Sequence, residues 1–583
     1  MASRLSCALG KRGVYLPVID GPRMTLPDYR SEVTQRLNVL ARTKAKNLLV
    51  GGLSELAMNA MIAALPVRRA RLVADEHVES LIANPRVRAA TPLRWGRDRI
   101  GVGLLTALTE QRMIEFCDEP APVTNVKPRN SHLVICEAGE PISEVIAANY
   151  AFAMGAGLHL IDEVHQDECN ELLEAFYSLD SPSINPVETR TRLKARLREL
   201  CGGLNLPHDG SLTFISRALP FGIAFPELPS THLFSYPALG IAVANGLAAE
   251  QEGVRGTNIA VLVDPEKVKA PEIKIALKML SDRRVFVRGY VGAGATVRSI
   301  SEMVELFPYD LLIFATHCGD AAGFRWTYEF TDSEGYERSL VVDIAIGIGG
   351  TDNDNILKVV EFMRFHSLDG VDWSDSVAKA SLYVGTAIRD FHTHMEMSDL
   401  EPVKKEAITR VYGSAAMAMM DNNYIVMPHS LACMGTPIII NNACVSWHEL
   451  SQRLTYAGAR VYIGTLFPIS DSEAELIITL LLGKHFGKML PHALWSAQNA
   501  IYGTDSRRPY VITGVYTQRL RVTLEDAPRR IVETIRQAAK ELEMTGAGEL
   551  PSEHVMRRKD SARIFFSREI SGVTGRWLYT ESE

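Results

Sequence analysis

Five short, largely apolar runs dominate the middle of the chain: 258–263, 285–291, 310–316, 437–443 and 461–466. A run of this length without polar alternation is a strand buried on both faces, and such strands belong to sheets covered by helices on both sides. The intervening segments fit that requirement. After Pro271, a residue tolerated in the first helical turn, Ile273, Ala276, Leu277 and Leu280 fall on one helical face. Ile300, Met303, Val304 and Phe307 do the same in the next segment. Helices near 447–456 and over 472–486 follow, then an extended run at 510–522 and a charged amphipathic helix at 528–543. The fold class expected is α/β, a three-layer αβα unit.

The first part of the chain reads similarly. Strands are expected at 47–51, 71–75, 100–105, 132–136 and 158–162, with helices at 53–65, 143–154, 169–179 and 191–200. Gly, Pro and Asn break the pattern at 202–210. The expected organisation is therefore an N-terminal α/β domain over 1–205, a second α/β domain over 206–525, and a helical tail over 526–583. Alternation weakens between 321 and 430, which reads as an insertion. It holds extended segments at 326–330 and 339–346. An amphipathic helix is expected at 356–365, its start marked by the capping types at 352–355.

Composition excludes several classes. The chain has 583 residues, 46% hydrophobic and 22% charged, which is inconsistent with wholesale disorder. A net charge of -7 argues against a dedicated nucleic-acid binder. No apolar stretch approaches the roughly 20 residues of a membrane span, and the first 22 residues hold no secretory apolar core, so a cytoplasmic protein is expected. The eight cysteines include no CxxC pair and read as reduced thiols. His392 and His394 come nearest to metal spacing and read as surface residues, so no metal is expected. The glycine-rich stretches 291–296 and 346–351 lack a full nucleotide fingerprint. Gly51-Gly52 before a helix is a weak anion cradle. Asp75, Glu76, Asp162 and Glu163 read as helix caps, and His429 and Cys433 as structural.

Two strand ends stand apart. LLIFATHCGD (311–320) delivers His317, and IIINNACVSW (438–447) delivers Cys444. In an open parallel sheet the carboxyl edge is where ligands and chemistry sit, so the two residues can face each other across a crevice. An imidazole beside a thiol favours the thiolate or accepts its proton, which makes the sulfur a nucleophile. Gly319 lets backbone approach a substrate closely, and its amide and that of Cys444 form a candidate oxyanion hole. Cys318 is set aside as nucleophile because adjacent strand residues point to opposite faces.

The segment from about 259 to 503 resembles the CHAT-domain peptidases of the caspase–separase group (clan CD). The resemblance is carried by IAVLVDPEK, VRGYVGAGATVRSISEMVELF, DLLIFATHCGD and PIIINNACVSW, and most specifically by the sequence after the cysteine. There Ala457-Gly458-Ala459, Thr465-Leu466-Phe467-Pro468-Ile469 and Asp471 match the family's turn, strand and second turn in order. It implies a caspase-like cysteine endopeptidase without cofactor, Cys444 as nucleophile and His317 as general base or orienting histidine. It also implies a protein substrate, an activating partner protein, and a setting in bacterial defence or cell death. The N-terminal unit then becomes a pseudo-caspase, a sensor or a Rossmann-like domain. The family has Gly directly after the histidine, whereas this chain has Cys318 and then Gly319, which leaves open which amide serves the oxyanion. Arginine- and lysine-specific relatives place an acidic residue where Asp471 stands, with Glu473 close by; both also suit the start of a helix. The alternatives are a catalytically silent scaffold of the same fold and a nucleotide-responsive regulatory protein.

Overall fold

The computed structural model describes every residue except 25–28, 44–46, 66–69, 123–127, 180–183, 252–255, 351–356, 504–506, 545–552 and 579–583. At its centre is one ten-stranded sheet. In chain order its strands are β1 His132–Glu137, β2 Gly157–Ile161, β3 Ser211–Ser216, β4 Ser230–Phe234, β5 Ile259–Asp264, β6 Phe286–Val291, β7 Leu311–Phe314, β8 Ile438–Asn441, β9 Val461–Thr465 and β10 Tyr510–Gly514. Across the sheet they run β6-β5-β7-β8-β9-β10-β4-β3-β1-β2. Strands β5 to β9 are parallel to one another, as are β1 to β4. Strand β10 is antiparallel to β9 and parallel to β4, so two parallel sets of opposite direction meet there.

Each set is laid down in the same way. Its first strand crosses over a helix to an outer second strand, and its third and fourth strands add on the other side. The crossover helices are Pro141–Met154 and Pro271–Ser281, each opened by a proline whose missing N–H costs nothing at that position. The sheet is continuous through the boundary expected near 205. Strand β3 pairs with β1, so β3 and β4, expected with the second domain, belong to the first set.

Alternate residues of these strands feed opposite layers, as the pleat requires. Val261, Val263, Leu312, Phe314, Ile439 and Tyr462 pack into a core that includes the helices Val297–Leu306 and His448–Ala457. Ala260, Leu262, Leu311, Ile313, Ile438, Ile440 and Ile463 pack with Pro271–Ser281, Asp471–Leu482 and Leu490–Tyr502 on the other side. The three-layer α/β architecture expected from the apolar runs is the one observed. The tail forms the helices Ala527–Met544 and Glu553–Val573, and Ile531, Ile535 and Phe565 join the first of these cores.

Three local expectations are corrected. Residues 100–105 open the helix Ile100–Glu110 rather than forming a strand. The apolar run is long enough for three turns, and Gly103 lets it close on the Trp95 ring, which a Cβ there would strike at 2.4 Å. The segments 47–51 and 71–75 contribute Leu48–Val50 and Ala70–Leu72 to a separate two-stranded sheet. The helix expected at 356–365 is the strand Leu357–Leu368, whose Val, Phe and Met side chains pair along Glu337–Gly350. Its helical spacing lost to cross-strand packing; the capping types at 352–355 lie outside the described residues. This strand belongs to a five-stranded antiparallel sheet spanning 323–408, backed by the helix Ala387–Met397 around Tyr328, Leu340, Val342 and Phe391.

Candidate active site

The register of β7 on β8 pairs Leu311 with Ile438 and Phe314 with Asn441, an offset of 127 residues (438 − 311). His317 and Cys444 are separated by the same 127 (444 − 317). Both lie three residues past the paired segment, in the loops that leave the carboxyl ends of two adjacent parallel strands. His317 is exposed and Cys444 is partly exposed, so both are open to a substrate from the carboxyl edge.

Cys444 stands in a tightly held elbow. The next residue, Val445, has φ 52°, a left-handed conformation that a β-branched residue adopts only at a cost. Hydrogen bonds on both sides hold the chain there. The Asn441 side chain accepts from the Ala443 amide at 2.9 Å, and the Thr465 hydroxyl donates to the Ala443 carbonyl at 2.8 Å. The Tyr462 hydroxyl donates to the Ser446 carbonyl at 2.7 Å, and the Trp447 amide bonds the Thr465 carbonyl at 2.9 Å. Asn441, Thr465, Ser446 and Tyr462 are all buried. Sequence reading passed over them; the Asn441-Asn442 pair ending an apolar run was the available signal.

The histidine loop is held from the other side. The Ala418 amide donates to the His317 carbonyl at 3.0 Å, and Cys318 and Gly319 pair with Met417 and Ala416. The buried Ser414 hydroxyl accepts from the Ala321 amide at 2.7 Å, and Arg410 pairs with Asp320 at 2.8 Å. The chain returning from the insertion thus forms the seat of the loop that carries His317. A Cβ added at Gly319 would meet nothing within 4 Å, so space lies open above that backbone. Burial pushes the Cys318 thiol up to about 12, with Asp320 and Cys444 adding to the effect and Arg453 opposing it. A thiol held protonated in this way is a poor nucleophile.

Beyond the cysteine, Cys444 Sγ lies 3.9 Å from the carbonyl oxygen of Ile469, just before the helix Asp471–Leu482. The two acidic residues expected there differ in their surroundings. The carboxylate of Glu473 accepts from the Ser470 amide at 2.8 Å, the Tyr502 hydroxyl at 2.9 Å and Arg507 at 2.6 Å. Those donors hold its pKa down at about 2 against the cost of burial. It completes a capping box with Ser470, which accounts for its presence without a ligand. Asp471 is exposed and makes no side-chain hydrogen bond or ion pair among the described residues.

A further carboxyl lies in the same region. Glu272, in the first turn of Pro271–Ser281, is 2% exposed, and burial raises its pKa to about 7, with Asp264 and Asp471 adding to the rise. The Asn442 amide donates to it at 3.4 Å, and the Tyr510 hydroxyl donates to the Asn442 oxygen at 3.2 Å. Nothing in the sequence pattern marked Glu272, because a first-turn Glu is ordinary helix chemistry. The first strand set contributes no carboxyl strand end to this edge, since β1 to β4 run the other way.

Among the described residues no helix is long and apolar enough to cross a membrane, and no cluster of His, Cys, Asp and Glu is arranged to hold a metal ion. No family model and no curated protein matches the chain. Among solved structures it is similar to the complex of Porphyromonas gingivalis RgpB pro- and mature domains, at 10% identity and a TM-score of 0.34, over 67% of this chain and 81% of that one.

Proposed function

We propose that this chain is a caspase-like cysteine endopeptidase of the CHAT type. The observation that supports the reading is that His317 and Cys444 each follow by three residues the carboxyl end of one of two adjacent parallel strands, with Val445, next to Cys444, held in a strained, hydrogen-bonded turn. In this reading His317 takes the proton of Cys444 and the sulfur attacks the peptide carbonyl. The tetrahedral oxyanion rests on the Cys444 amide and an amide of the 317–319 loop, either Cys318 or Gly319. His317 then protonates the leaving amine, and water releases the acyl-enzyme with His317 as base.

Cleavage after a basic residue is part of the proposal. Asp471 supports it: an exposed carboxylate without a hydrogen bond or ion pair among the described residues, two residues from the carbonyl beside Cys444. A guanidinium would pair with it well. An activating partner protein completes the reading, as an implication of the resemblance.

The test is cleavage of an Arg- and Lys-containing peptide library by wild type, Cys444→Ala and His317→Ala. The proposal expects loss of cleavage in both variants, and cleavage that survives both overturns it.

A further inference from the structure

The small two-stranded sheet near the N-terminus leaves an apolar hollow where it meets the rest of the molecule. Its parallel strands, Leu48–Val50 and Ala70–Leu72, are joined through the helix Glu55–Ala64. Leu48 and Val50 pack with Val33, Met61 and Leu65 in a core of the unit's own. Leu49 alternates to the other side and joins the core that includes Val134 and Leu239. Between these two cores lies a cavity of about 1020 Å³, walled by the small sheet, the segment 15–21 and the helices Ala2–Leu9, Tyr29–Arg42 and Leu239–Gln251. Leu5, Leu9, Ile19, Leu40, Leu53 and Leu247 line it and stay only partly buried. Cavities of about 300–1,000 Å³ hold one small ligand, and an apolar one favours an apolar guest over water.

One polar group of the wall lacks a partner. Asp20 is 8% exposed; Arg36 Nη2 donates to its Oδ2 at 2.6 Å, but its Oδ1 is buried with no hydrogen-bond partner among the described residues. Arg36 cannot supply the missing bond. Its five N–H donors serve the carbonyls of Asp20, Glu32 and Gly21, the Tyr456 hydroxyl and Asp20 Oδ2. Burial raises the Asp20 pKa, and Arg36 opposes the rise. A buried oxygen without a donor is costly, and a bound molecule that brings one recovers that cost. Arg36 also lies 3.5 Å from Glu32, so two carboxylates share its charge and little is left for an anionic head group. Arg71 borders the cavity too, but it is exposed and already solvated.

We propose that this cavity binds one neutral, largely apolar small molecule, its body against the leucine walls and a hydroxyl or N–H donating to Asp20 Oδ1. The site uses neither His317 nor Cys444, and it stands whatever those two residues do.

The experiment is a fluorescence titration of the full chain with 1-aminoanthracene, a neutral arylamine that brightens in apolar surroundings, followed by displacement with 1-decanol or decanoate. The probe should bind saturably, equally in wild type and Cys444→Ala. Decanol should displace it at a concentration about tenfold or more below that needed with decanoate, because the two have equal chains and only the anion meets Asp20 with a like charge. Asp20→Asn, which removes the charge and keeps the shape, should bring the two within about threefold. Leu5→Trp and Ala248→Trp, which fill the cavity, should each weaken probe binding by about tenfold or more. Any one of four results overturns the proposal: no saturable probe binding, undiminished binding in both filled variants, equal displacement by decanol and decanoate in wild type, or a preference that persists in folded Asp20→Asn. The wild-type comparison needs no variant and carries the test if Asp20→Asn does not fold.

Discussion

Thr465 Oγ1 donates to the Ala443 carbonyl at 2.8 Å, so strand β9 fixes the residue just before Cys444. Both groups are fully buried, and no water can replace the bond if the hydroxyl is removed. Thr465→Ala should cost about 1–2 kcal/mol of stability in a denaturant titration and slow alkylation of Cys444. Thr465→Ser, which keeps the hydroxyl, should restore most of both.

The strained residue after the cysteine makes the opposite prediction. At φ 52° Val445 adopts a conformation that glycine reaches freely. Val445→Gly should therefore cost less than about 0.5 kcal/mol, where a glycine in an ordinary extended position costs about 1 kcal/mol. Thermal melts of this variant alongside a Val→Gly control elsewhere in the sheet check the comparison.

Cys318 neighbours His317 in sequence, yet burial keeps its thiol protonated, with a pKa of about 12. Cys318→Ala should retain at least about a third of the peptide-cleavage rate, whereas Cys444→Ala should abolish it. Steady-state kinetics of the two variants against one substrate separate them.

Glu272 and Glu473 should move stability in opposite directions with pH. The pKa of Glu272 is raised from 4.5 to about 7, so the folded state holds its proton longer than the unfolded chain. Its favourable contribution is complete below pH 4.5 and is lost as pH rises through 7. Glu272→Gln should match wild type near pH 4.5 and exceed it by about 1–3 kcal/mol at pH 8. Glu473 is depressed from 4.5 to about 2, so its contribution is complete above pH 4.5 and lost as pH falls through 2. Glu473→Gln should be less stable than wild type by about 1–3 kcal/mol at pH 7, with the gap closing toward pH 2. Urea midpoints across pH measure both.

What the sequence made legible follows from where physical constraint is local. Strands β5, β7, β8 and β9 were readable because burial on both faces leaves no polar residue to interrupt them. The placement of His317 and Cys444 just past the carboxyl ends of β7 and β8 was readable for the same reason. The partnership of β3 with β1 was not, since pairing across 75 or more residues leaves no periodic trace in either segment. The run at 356–365 misled because Ile356, Val359, Val360 and Met363 satisfy a helical stripe as well as a strand. Only its pairing along Glu337–Gly350 decides between them. Glu272 and Ser414 were invisible for another reason: a first-turn Glu and a loop Ser are ordinary residues until the fold buries them against Asn442 and Ala321.

The claim that His317 activates Cys444 is tested most directly by alkylation, which needs neither substrate nor activator. Wild type and His317→Ala are treated with iodoacetamide at pH 7, and the rate at Cys444 is read by mass spectrometry against the other seven cysteines. The account predicts alkylation of Cys444 about tenfold or more faster in wild type than in His317→Ala, with Cys318 slow in both. Equal rates at Cys444 in the two proteins would contradict it.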